Sequence, residues 1–106
     1  MDKPETIMLL IPDEKQSIEN QKIAARKDRI LKQFSSWDNS HKNLKRWIKD
    51  NMNDPKSFEH VKTTYTDKGD YLLIYMNYRG KNSFGAKVLQ TTIAKVDLDG
   101  NILSIQ

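Results

Sequence analysis

The residues best suited to chemistry cluster in Tyr78-Arg79-Gly80-Lys81-Asn82-Ser83-Phe84-Gly85. Arg79 and Lys81 supply two cations for an anion, Asn82 and Ser83 supply amide and hydroxyl groups, and Phe84 supplies an apolar contact. Gly80 and Gly85 permit close backbone approach. A structural reading uses the same residues: both glycines take positive φ, Asn82 or Ser83 closes a side-chain turn, and Phe84 packs over the end of the core. The two readings are compatible.

No catalytic set accompanies this stretch. Ser83 is not in a GxSxG elbow, and neither glycine pattern of a phosphate or dinucleotide loop is present. His41 and His60 lack the further ligands that zinc requires, so both are expected to be ordinary surface or partly buried histidines. Asp97, Asp99 and Asn101 resemble the start of a calcium loop, but no carboxylate follows at its twelfth position, which leaves a hairpin turn at Asp99-Gly100. The chain has no cysteine, excluding disulfides, thiolate metal sites and cysteine nucleophiles. The expectation is a nonenzymatic protein without metal or cofactor.

A second candidate surface is basic. Residues 22–50 carry nine Lys or Arg against three Asp, a net of +6, whereas residues 1–21 have a net of −3. Arg26, Arg29, Lys42, Lys45, Arg46 and Lys49 form the alternative face, suited to nucleic acid or anionic lipid. A solvated helix face is the commoner meaning of such a run. No recognition-helix motif or aromatic platform interleaved with cations supports nucleic acid.

These residues need a scaffold. The 106 residues suffice for one core. Residues 1–13 read as an extended lead-in or linker and 14–106 as a single α+β domain. Asp13 and Gln16 resemble a capping box for a helix over 14–34, with Ile23, Ile30, Leu31 and Phe34 as its apolar positions. Asp38 or Ser40 offers the next cap. Leu44, Trp47, Ile48 and Met52 then follow at helical spacing over 40–52, and Asn53-Asp54-Pro55 stops the helix.

After Pro55 the apolar period changes to two. Strands are expected at 58–65, 71–78, 87–96 and 102–105, joined by YRGKNSFG and by turns at 67–70 and 97–101. The predicted fold is two N-terminal helices on one face of a four-stranded antiparallel meander sheet, with Leu72, Ile74 and Met76 facing them. On the opposite face Tyr71, Leu73 and Tyr75 would form an apolar strip able to drive dimerisation. The run IMLLI at 7–11 is far short of the roughly 20 residues that span a bilayer.

The order Trp37-Asp38-x-Ser40-His41, Asp54-Pro55-x-Ser57-Phe58, Arg79-Gly80-Lys81-Asn82-Ser83-Phe84-Gly85 and Val96-Asp97-Leu98-Asp99-Gly100-Asn101 resembles a group of small uncharacterised bacterial α+β domains. These are carried at the C-terminal end of lipoproteins or membrane-anchored proteins. The resemblance covers about residues 34–105. It implies an extracytoplasmic location, with membrane tethering only through an anchor that this sequence does not contain, against a cytoplasmic alternative. It implies no activity. The expected function is a noncatalytic envelope module that binds a protein or cell-surface component, with Arg79, Lys81, Asn82, Ser83 and Phe84 as contacts and Gly80, Gly85, Asp54 and Pro55 shaping them.

Overall fold

The computed structural model describes residues 20–106. The lead-in, the IMLLI run and the Asp13/Gln16 cap lie outside them. The architecture is α+β: two helices, then a four-stranded antiparallel meander in the order β1-β2-β3-β4. Helix α1 is described over 20–31, and α2 spans Lys42–Asp50. A 3-10 turn at Pro55–Ser57 leads into β1 (Glu59–Asp67), β2 (Leu72–Lys81), β3 (Lys87–Val96) and β4 (Ile102–Ile105).

The period-two pattern determines which sheet face is buried. Leu72, Ile74, Met76 and Tyr78 of β2 point to the helices with Ala94 and Val96 of β3, and Ile30, Leu44 and Ile48 close the core from above. Full burial of each Leu, Ile or Met contributes roughly 1.5–3 kcal/mol. The opposite face has no helix over it among the described residues. There Tyr71, Leu73 and Tyr75 are half-buried by their neighbours in the sheet, and the Lys95 ammonium lies 4.4 Å from the Tyr71 ring centroid.

α2 begins differently from expectation. Its N-cap is His41, whose ring Nδ1 accepts the Leu44 backbone N–H at 3.2 Å. Asp38 instead accepts the backbone N–H and hydroxyl of Ser40, at 3.0 and 2.6 Å, inside the tight connection between the helices. His41 is fully buried rather than superficial, because the Phe34 ring meets it edge-on at 5.3 Å and the sheet closes beneath.

Since Nδ1 accepts, the ring proton sits on Nε2, which donates to Gln33 Oε1 at 2.9 Å. Gln33 Nε2 in turn donates to the Leu98 carbonyl at 2.9 Å. This buried relay ties the helical layer to the β3–β4 turn. Asn43 adds a second tie, donating to the Gly100 carbonyl at 2.8 Å.

Both arginines of the expected basic face on α1 are engaged with the sheet. Arg26 makes a forked contact with Asp67, at 3.1 and 2.7 Å, and also donates to the Gly69 carbonyl; Arg29 donates to Asp99 at 2.7 Å. The guanidinium hydrogen bonds hold Asp67 and Asp99 below the usual carboxylate range. Of the expected basic face, Arg26 and Arg29 thus fasten α1 to two turns. The acids they meet are 41 and 70 residues away in the chain, beyond the reach of any local pattern.

Candidate functional site

A nine-residue helix is ~14 Å long, and a ten-residue strand ~33 Å. α2 therefore cannot roof β2 and β3 along their whole length. It starts beside the β3–β4 turn, where Asn43 meets Gly100, and stops short of the β2–β3 connection. A cleft of about 420 Å³ opens where it stops, lined by Trp47, Ile48, Asn51, Met52, Asn53, Tyr78, Lys81, Asn82, Ser83 and Gln90.

Two sequence motifs that are far apart in the chain meet beside it. Ser57, from the Asp54-Pro55-x-Ser57-Phe58 stretch, donates its hydroxyl to the Asp54 carbonyl at 2.6 Å and accepts the Lys81 N–H at 2.9 Å. Phe58 stacks on Tyr78 with ring centroids 5.4 Å apart, and the Lys45 and Lys49 ammonium groups lie over its ring at 5.7 and 6.0 Å. Pro55 starts the 3-10 turn, while the Asp54 side chain makes no cap hydrogen bond. Ser57→Ala should cost about 1 kcal/mol of stability, read by urea denaturation, because the Lys81 N–H loses its acceptor.

The expected loop is shorter than its motif. Tyr78, Arg79, Gly80 and Lys81 belong to β2, and only 82–86 form the connection. Asn82 Oδ1 accepts the backbone N–H groups of Phe84 and Ala86, at 2.9 and 3.0 Å, and Gly85 takes φ +81°. Gly80 has no positive φ. Its missing side chain makes room for another residue, since a Cβ there would lie 2.5 Å from Met52 Cε.

Phe84 does not fasten the loop to the core. It is 92% exposed, because the five-residue connection projects past the ends of the strands. Arg79 is also removed from the cleft: as an odd-numbered β2 residue it lies on the uncovered face, where it pairs with Glu59 at 3.5 Å. Lys87 pairs with the same carboxylate and holds it below its usual range. Of the expected site residues, Lys81, Asn82 and Ser83 line the cleft, Lys81 from its rim, because its place opposite Lys87 puts its side chain on the same face as Arg79.

The cleft also recruits residues that the spacing did not single out for binding. Trp47 belongs to the helical apolar set, yet it sits at the edge of the buried stripe and is 36% exposed. Met52 lies beyond the helix end at Asp50, beside Gly80, rather than on the helical face. In sequence Asn53 read only as part of the helix stop, and Asn51 only as a position within the 40–52 helix. The signal for Trp47 was its size at the margin of an apolar stripe; Gln90 had none.

Chemically, the cleft is rich in donors and, among the described residues, lined by no carboxylate. Tyr78 OH lies 3.2 Å from both Gln90 Oε1 and Thr92 Oγ1. The amide NH₂ groups of Gln90 and Asn82 have no partner among the described residues, and Lys81 has no carboxylate within ion-pair distance among them. Trp47, Ile48 and Met52 supply the apolar side.

On the far side of α2, Lys42, Lys45, Arg46 and Lys49 line a shallow surface with Asp50. Lys45 is partly committed, reaching Asp38 at 3.3 Å. Burial raises the Asp38 pKa, but the hydrogen bonds from Ser40 and Lys45 outweigh it and hold the carboxyl far below its usual range. Among the described residues no cluster of three or more His, Cys, Asp or Glu is placed to hold a metal, and no helix is long and apolar enough to cross a membrane. Compared with family models, curated proteins and solved structures, the chain matches none.

Proposed function

We propose that this chain is a noncatalytic recognition module of the bacterial cell envelope that binds a protein or cell-surface component through the cleft between α2 and the β2–β3 connection. The envelope assignment rests on the motif resemblance. The cleft carries the binding assignment: the open amide donors of Asn82 and Gln90 stand beside a half-exposed tryptophan, and at the rim Lys81 is free of any acidic partner among the described residues. These amide donors are open to solvent beside an apolar floor, an arrangement that favours a ligand supplying acceptors and apolar surface.

A photo-crosslinking side chain introduced at Ser83 should capture a discrete partner in cells. The same group at Lys68, at the opposite end of the sheet, should not. Lys81→Glu should reduce the Ser83 adduct at least fivefold without lowering the melting temperature. Equal labelling from both positions, or an adduct indifferent to Lys81→Glu, would overturn the proposal.

A further inference from the structure

β4 is too short for its neighbour. β3 runs ten residues, Lys87–Val96, but β4 pairs only with Ala94, Lys95 and Val96. Beyond that, the Gln106 N–H donates to the Ile93 carbonyl at 2.8 Å. Backbone groups alternate sides along a strand with period two. If Ile93 points its carbonyl to the β4 side, Leu89 and Thr91 point their N–H and C=O groups the same way. β2 occupies the other side of β3 throughout, from Val96 to Lys87. The Leu89 and Thr91 backbone thus forms an open sheet edge among the described residues.

This edge borders the cleft. Val88, Gln90 and Thr92 point to the helix side, as Ala94 and Val96 do, yet they are only half-buried where Ala94 and Val96 are fully buried. The loss of burial marks the place where both the roof of α2 and the cover of β4 are missing. Gln90 is at once part of the open strand and part of the cleft lining. A strand placed beside Leu89 and Thr91 would aim alternate side chains toward Trp47, Ile48, Met52 and Tyr78.

We infer that the ligand is an extended peptide segment of a partner protein, which adds as a fifth strand to the open edge of β3 at 87–92. It inserts an apolar side chain into the cleft and, from an alternate position, presents a carboxylate to Lys81 on the uncovered face, where Lys81 stands opposite Lys87. This rests on the recognition-module reading and specifies its ligand class. Main-chain hydrogen bonds to Leu89 and Thr91 supply affinity that does not depend on sequence, while the cleft selects alternate side chains. Charge complementarity selects an acidic segment, because Lys81, opposite Lys87 on the uncovered face, has no carboxylate partner among the described residues. Exposed edges are ordinarily blunted by charge, proline or a bulge. Here the charge at the end of the edge, Lys87, is paired with Glu59, and the open stretch carries Leu89, 62% exposed, and Thr91, with no bulge in its pairing to β2.

Random twelve-residue peptides displayed on phage, selected on the full chain, are the probe. Selected peptides should alternate apolar residues and carry Asp or Glu at one position. Adding such a peptide should slow amide hydrogen exchange at Leu89 and Thr91 at least tenfold in the unaltered protein. Thr91→Pro, which removes an N–H from the open side and leaves the β2 ladder its donors, should weaken binding at least tenfold. Lys81→Glu should shift the selected acid to Lys or Arg. Peptides that bind while the Leu89 and Thr91 amides exchange unchanged would overturn strand addition and leave the recognition module standing. No selected peptide, together with no adduct from Ser83, would overturn both. Concentration-dependent dimerisation abolished by Thr91→Pro would overturn the partner-protein assignment in favour of a second copy.

Discussion

Gly100→Ala should lower stability by about 2–4 kcal/mol, a large fraction of the roughly 5–15 kcal/mol that holds a domain of this size. Gly100 has φ +89°, a region in which a non-glycine residue costs about 1–2 kcal/mol. The larger part comes from position. A Cβ at residue 100 would lie 2.9 to 3.0 Å from Gln33 Cγ, Cδ and Oε1, in the middle of the relay from His41 to the Leu98 carbonyl. Moving the Gln33 amide leaves buried donors without acceptors, each at a cost of about 1–3 kcal/mol. Gly69→Ala separates the two contributions, because Gly69 has φ +94° but nothing within 4 Å of its missing Cβ. Equilibrium denaturation should place Gly100→Ala well below Gly69→Ala. Equal losses would mean that the relay contributes little.

The second large effect is pH dependence. Burial pushes the His41 imidazole down to about 4 from its usual 6.5. Between these values the unfolded chain binds the proton and the folded one refuses it, so stability rises with pH across that window. The contribution is fully present above about pH 6.5 and is lost as pH falls toward 4; at 1.36 kcal/mol per unit the change is about 3 kcal/mol.

His60 acts in the same direction: its burial outweighs the attraction of Asp38, and its pKa is also lowered. Asp38, Glu59, Asp67, Asp97 and Asp99 are held below their usual range, so their contributions persist above it and are lost only at more acidic pH. The denaturation free energy should therefore fall steeply from pH 6.5 to 4.5. His41→Asn retains a capping oxygen and removes the titration, so it should be less stable at pH 7 yet show a flatter slope. An unchanged slope would assign the pH dependence to other groups.

The legible parts of the fold follow from period and turn chemistry. Leu72, Ile74 and Met76 alternate cleanly, and β3 and β4 occupy the segments 87–96 and 102–105 that composition and turns delimit. Gly85 and Gly100 sit where turns demand positive φ. Gly80 shows the boundary of that logic: a glycine inside a motif looked like a turn residue, whereas the backbone is strand and the absent side chain accommodates Met52. The Asp54-Pro55-x-Ser57-Phe58 and RGKNSFG stretches stood out separately, and Ser57, Phe58, Tyr78 and Lys81 join them only across the β1–β2 pairing.

By itself the sequence determined the fold class, the order of elements and the buried face of the sheet. These depend on local propensity and on the repeat of apolar residues, which are properties of neighbours along the chain. Tertiary structure alone decided which cations remain available, since Arg26, Arg29 and Arg79 find carboxylates and Lys81 finds none among the described residues. It also decided where α2 runs out over the longer strands and where β4 leaves β3 uncovered. Both are mismatches in length between packed elements, and they become a cleft and an edge only when the elements lie side by side.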